Sequence, residues 1–244
     1  MSVVRIVGFG RAGRSLAVAL PRAGWQLAGT LDLGDDVTGA AQDVDIVVLS
    51  VPDAVVADVA TAIAPVPATL VVHLAGSLTL DVLAPHARRA SLHPLVPLPD
   101  PETGADRLRG AWMALAGDPA VDGFAAALGG RPIHVADEHR AAYHAAAVIA
   151  SNHLVALLGQ VERVAAVAGV PVAAYLDLAA AALTDVRRAG PAAALTGPVS
   201  RGDWDTVRRH LAVLPVADRP AYLALAGAAA RLARTSLPPD LNSY

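Results

Sequence analysis

Three glycines near the start of the chain, Gly8, Gly10 and Gly13, constrain its fold more than any other feature. They form G-x-G-x-x-G directly after the β-branched run "VVRIV" and directly before "RAGRSLAVALPRAG", whose apolar residues recur at helical spacing. A second strand-like run, "WQLAGTLD", follows, so the first thirty or so residues read as a compact β-α-β unit. In that setting the pattern has a mechanism. The first glycine turns the chain, the second lets backbone approach a pyrophosphate, and the third packs helix against strand. Gly8, Gly10, Arg11, Ala12 and Gly13 are therefore expected to cradle a dinucleotide.

Further apolar runs end at "DIVVLSVPD", "TLVVHLAGS", "RASLHPL" and "AWMALAG", with helix-like segments such as "DAVVADVATAIA" between several of them. Strands alternating with helices predict a mainly parallel sheet in an α/β domain. From about Asp137 the texture becomes helical throughout, and Asp137 itself suits a helix N-cap. The expected organisation is a nucleotide domain over residues 1–136 and an all-α domain over 137–244. "PLVPLPDPETGADRLRG" reads as a surface loop and "SLPPDLNSY" as a mobile tail.

Composition removes several chemistries. The chain has no cysteine, which excludes disulfides, thiolate metal sites and thiol nucleophiles. All nineteen Lys+Arg residues are arginine, so neither a Schiff base nor a lysine acid is available. A net charge of −3 without a basic stretch argues against nucleic acid as a partner. Hydrophobic residues make up 55% of the chain, yet no run of about 18 uncharged apolar residues stands out, and no signal peptide is recognisable. A cytoplasmic protein acting on a small molecule, away from membranes, is expected.

In open α/β sheets ligands lie outside the carboxyl ends of the strands. Asp32, at the end of the second strand, is positioned to accept hydrogen bonds from ribose hydroxyls and to repel a 2′-phosphate, which favours NAD over NADP. Asp35 and Asp36 compete for that role, and Arg11 or Arg14 offers a phosphate partner instead. Ser50, Val51 and Pro52 in "LSVPD" and Gly76 in "HLAGS" complete the expected cofactor contacts. His73, Ser77 and His93 stand at the same edge, on the substrate side. No carboxylate pattern completes a metal site around His73 and His93. His86, His134, His139, His153 and His210 read as structural.

The stretch "YHAAAVIASNH", residues 143–153, sets proton-exchanging groups into a run of small apolar residues. On a regular helix Arg140, His144, Ala147 and Ser151 fall within about 60° of one another, flanked by Tyr143 and Asn152. The stripe continues through Val155 and Leu158 and is expected to pass from a ligand-facing cleft into the core. His144 is the first candidate for a proton donor, His93 the second and Tyr143 the third, with Ser151 and Asn152 orienting substrate. Arg201 in "TGPVSRGD" suits a bidentate carboxylate clamp, or else a pair with Asp203.

The motifs "VGFGRAG", "SVPD", "HLAGS", "SLHPL", "YHAAAVIASN" and "ALTGPVSRGD", in that order, resemble the Rossmann-like DUF2520 family, within the group related to 6-phosphogluconate dehydrogenase. The resemblance implies an NAD(P)-dependent oxidoreductase with an N-terminal Rossmann domain and a C-terminal helical domain that helps form a homodimer. "GSLTL" and "SLHPL" are also similar to prephenate dehydrogenases, and the two-domain plan to ketopantoate reductase and pyrroline-5-carboxylate reductase. The lysine that ketopantoate reductases carry on the long helix has no counterpart here. The expected reaction is reduction of a small carbonyl or imine compound, foremost a 2-oxo acid. The alternatives are a nucleotide-binding sensor or scaffold without chemistry, and a deazaflavin-dependent enzyme.

Overall fold

The computed structural model describes residues 2–32 and 34–241. Seven strands and ten helices follow one another as β1 (Val3–Val7), α1 (Arg11–Arg22), β2 (Gln26–Leu31), β3 (Ile46–Leu49), α2 (Val56–Ala62), β4 (Leu70–His73), β5 (Arg88–Pro94), α3 (Pro101–Leu108), β6 (Trp112–Gly117), α4 (Ala120–Ala127), β7 (Arg131–His134), α5 (Arg140–Val148), α6 (Leu154–Val167), α7 (Val172–Ala189), α8 (Pro191–Ala194), α9 (Trp204–Val213) and α10 (Arg219–Leu232). The strands form one sheet in the order β2-β1-β3-β4-β5-β6-β7, parallel except where β5 meets β6. This is the expected Rossmann-type arrangement followed by a helical region.

The strands read as unbroken apolar runs because both faces of the sheet are covered. Val4, Ile6, Ile46, Val48, Leu70 and Val72 turn to one face, where Leu16 and Leu20 of α1, Leu108 of α3 and Phe124 of α4 pack. Val7, Val47, Leu49 and Val71, one residue out of phase, turn to the other, against Val56 and Ala60 of α2. A third core belongs to the helical region, around Val207, Leu211, Leu223, Ala226 and Ala230.

Several expectations are corrected. The proline-rich "surface loop" contains α3, whose N-cap Asp100 accepts a hydrogen bond from the Thr103 amide at 2.9 Å with Pro101 at the first helical position. Gly104 of α3 lies against Ser15 of α1 so closely that a Cβ would overlap the serine hydroxyl. Tail residues 236–241 are held: Leu241 is buried in the third core and Asp240 pairs with Arg208 at 2.9 Å. Residues 242–244 lie outside the described residues. The chain divides into two compact units between Ile149 and Ala150 rather than before Asp137, because the head of α5 packs on the sheet unit.

The long helix is interrupted by a π-helical turn, Ile149–His153. Such a turn advances more residues per revolution than an α-helix, so the stripe drawn through Arg140, His144, Ala147 and Ser151 does not continue in phase. Val155, expected in the core, is 70% exposed, and His153, expected to be structural, is exposed as well. By length and composition alone, the run Asp137–Val167 is long and apolar enough to cross a bilayer, which corrects the view that the chain has no such segment.

Candidate functional site

The carboxyl ends of β1, β2, β3, β4 and β5 carry the site, and the glycine loop comes first. Gly8 has a φ of +97°, and a Cβ there would strike the Ser50 carbonyl and sit 2.8 Å from Val51 Cγ1. A Cβ at Gly13 would strike the Gly8 carbonyl. At Gly10 nothing lies within 4 Å. The first and third glycines are thus required by the chain itself, while the second keeps an exposed approach clear, the division of labour of a dinucleotide cradle. The orphan amides at the start of α1 point to the same side, with Arg11 exposed and Ala12 half-buried.

Asp32 follows β2 and is exposed, and its Oδ1 accepts a hydrogen bond from the Phe9 amide at 3.3 Å, tying this carboxylate to the glycine loop. Its own amide donates to Asp35 Oδ2 at 2.7 Å, so Asp35 braces the turn. Arg14 donates from Nε to the Phe9 carbonyl at 2.9 Å and stacks over the Phe9 ring. These residues fit an adenosine ribose and pyrophosphate. Ser50, Val51 and Pro52 follow β3 as expected, Ser50 donating its amide to Val7. Asp53 just beyond accepts from Ser77 Oγ at 3.2 Å.

A second feature lies after β4 and β5. His93, the penultimate residue of β5, forms a 2.7 Å hydrogen bond between Nδ1 and the Tyr143 hydroxyl. The ring of His144 meets that of His93 edge-on, with centroids 5.8 Å apart. Gly76 lies beneath both: a Cβ there would come 2.5 Å from His144 Cδ2 and 3.0 Å from His93 Nε2. Only a glycine lets the two rings reach this corner, a role different from the cofactor contact expected of it. Burial above all, with the charges of His144 and Arg140, lowers the His93 pKa to about 4. Burial raises the Tyr143 phenol, keeping it protonated and able to donate to His93.

His73 ends β4 but is 0% exposed, and neither ring nitrogen has a partner. Burial first and Arg140 second bring its pKa to about 4. It is an enclosed neutral ring, which corrects its expected place on the substrate-facing surface. Ser151 donates its hydroxyl to the side chain of Asn152 at 2.8 Å, within the π-helical turn. Arg201 is exposed in a short 3₁₀ turn, and Asp203 is occupied as the N-cap of α9 by Thr206, so the expected alternative of an Arg201–Asp203 pair is not formed. Sequence reasoning overlooked Arg140 as a site residue. It placed the side chain at the head of the polar stripe, yet the side chain is completely buried. An arginine among alanines on the first turn was the available signal.

Residues 115–229 match the family model described as domain of unknown function DUF2520. The motifs "YHAAAVIASN" and "ALTGPVSRGD" lie inside the matched span. No curated protein matches the chain in sequence. Among solved structures, it is similar over 96% of both chains to a Bacteroides fragilis protein provisionally assigned as an NADP oxidoreductase, with 21% identity and a TM-score of 0.74. A Thermotoga maritima protein is 25% identical over 95% of this chain and 98% of its own, with a TM-score of 0.70. Pyrroline carboxylate reductase of Plasmodium falciparum, solved with NADP bound, is 10% identical over 96% and 97%, with a TM-score of 0.62. At these identities the likeness extends to the fold.

Proposed function

We propose that this chain, with a DUF2520 domain and a Rossmann-type sheet, is a nicotinamide-dependent oxidoreductase that reduces a small carbonyl or imine compound, foremost a 2-oxo acid. One observation carries the reading: the open glycine cradle and the histidine corner over Gly76 stand at the carboxyl ends of adjoining parallel strands, β1, β3, β4 and β5. Enzymes in that fold bind a dinucleotide at such an edge.

A reduced nicotinamide, when bound, supplies the hydride. The chain's own groups handle the proton. Tyr143 donates to His93 Nδ1, which leaves the hydrogen of His93 on Nε2, facing the Gly76 corner. His93, neutral at pH 7, then donates a hydrogen bond to the substrate oxygen. With no lysine in the chain, His144 is the group left to protonate the alkoxide. The exposed carboxylates Asp32, Asp35 and Asp36 at the end of β2 disfavour a 2′-phosphate and support NAD(H). A homodimer formed through the helical unit belongs to the same reading. It is supported by α7, which has no buried residue and leaves Leu176, Leu178, Leu183 and Val186 exposed.

The test is a fluorescence titration with NADH and NADPH, followed by a screen of 2-oxo acids and cyclic imines for NADH oxidation. Wild type binds NADH more tightly than NADPH, and Gly10→Val loses binding while keeping its fold. Equal NADH affinity in the two proteins would remove the cradle from the argument. Binding without turnover throughout the screen would favour a nucleotide sensor.

A further inference from the structure

Arg140 opens α5 in the sheet unit, and its guanidinium is enclosed with 0% exposure. Its sole hydrogen bond among the described residues runs from Nη2 to the Ala75 carbonyl at 3.2 Å, while Nε and Nη1 have no partner. Asp137, one turn earlier, is not within ion-pair distance, and its Oδ2 accepts instead from the Leu80 amide at 3.0 Å. A guanidinium carries five donors and cannot shed its charge, so burying it against one neutral carbonyl is costly unless an anion completes the arrangement. The rings around it do not share the charge, since His73 and His93 are both held neutral at pH 7. Asp137 acts on it only through space, and with that carboxylate's Oδ1 also buried without a hydrogen-bond partner, no ion pair closes on the guanidinium.

We propose that Arg140 anchors the carboxylate of the substrate, and that the substrate is an acid whose carboxylate is bonded directly to the carbon being reduced. The adjacency follows from the corner. Arg140 donates to the Ala75 carbonyl, while His93 and His144 converge on Gly76, the next residue in the chain. Two successive residues of one loop thus hold the charge and the rings, which suits an acid whose carboxylate sits beside the reacting carbon. Because the guanidinium is enclosed, the anchor requires the side chains over it to move as the acid enters. This inference rests on the reductase reading above and names its substrate class.

The test uses oxamate, an isostere of a short 2-oxo acid that is not reduced, titrated by calorimetry into the full chain with and without saturating NADH. Wild type binds oxamate but not the uncharged amide propionamide. Arg140→Gln weakens oxamate by roughly 100-fold, the scale of losing a buried charge pair. Arg140→Lys, which keeps the charge but not the fork, falls between, and Arg201→Gln on the helical unit binds as wild type does. NADH affinity is the same in all four proteins, which reports an intact sheet unit. Oxamate binding that ignores Arg140→Gln, or that is lost in Arg201→Gln alone, would overturn the anchor. So would NADH binding to wild type without any oxamate binding, an outcome that leaves the nicotinamide reading standing. Arg140-dependent oxamate binding without NADH binding would do the reverse.

Discussion

The two units of this chain bury their apolar residues in opposite ways. In the sheet unit, consecutive strand residues serve consecutive faces, so β1, β3 and β4 spend nearly every side chain on a core closed by their own helices. In the helical unit α7 buries nothing. Leu178 is 65% exposed, and the large exposed hydrophobics are concentrated from Ile149 onward. The helical unit also holds an apolar cavity of about 570 Å³ between Leu157, Tyr175, Tyr222 and their neighbours. The contrast teaches that apolar surplus takes different forms in the two halves: closed core in one, exposed apolar surface in the other. It also separates the polar groups, because a buried histidine in the sheet unit has few ways to be solvated.

Perturbations should divide along the same line, and the largest effect belongs to chemistry in the sheet unit. His144→Ala should lower turnover by roughly 10² to 10⁴ with NADH affinity unchanged, as expected for losing a general acid. Steady-state kinetics on a confirmed substrate would decide it, and equal activity would pass the proton to His93. Next comes the helical surface: Leu178→Asp with Leu183→Asp should weaken self-association by roughly 100-fold, seen by sedimentation, with the chain still folded. A wild-type monomer at all concentrations would break the comparison outright. Gly13→Ala should cost about 2–3 kcal/mol in urea unfolding, because its Cβ meets the Gly8 carbonyl. Gly10→Val should leave the urea midpoint in place.

Smaller effects follow from ionisation and from the exposed helix. His73 titrates near 6.5 when unfolded and at about 4 when folded. Between those values the unfolded chain holds the extra proton, so stability present above pH 6.5 is lost as the pH falls toward 4. For this one residue the loss between pH 7 and 5 is about 2 kcal/mol, and His73→Leu should lose that much less than wild type over the same interval. An unchanged pH slope would mean the ring is not enclosed. His153→Ala, on an exposed position, should shift stability by less than about 0.5 kcal/mol.

Local signals were legible wherever one element contained them. The β-α-β start, the strand runs and the four helical stretches after Asp137 were readable because periodicity and glycine sterics act within a few residues. The α3 helix was also legible in principle, since "DPET" holds an N-cap, a first-turn proline and an acid. Proline content obscured it. The π-helical turn was not legible: it redirects Ser151 and Val155 without any breaker residue, so a stripe counted at a regular 100° per residue went wrong there.

The sequence by itself determined the glycine cradle, the order of elements and the set of candidate histidines, because each depends on short-range backbone sterics and on which side chains can hold a proton. Which of those side chains meet was decided only by the tertiary structure. The Arg140–Ala75 hydrogen bond joins residues 65 apart, and the Tyr143–His93 bond joins residues 50 apart. Both exist because β4 and β5 are neighbours in the sheet and α5 begins against their carboxyl ends. Burial then does what no residue type encodes: it keeps His73 and His93 neutral at pH 7 and encloses the Arg140 guanidinium against a single carbonyl.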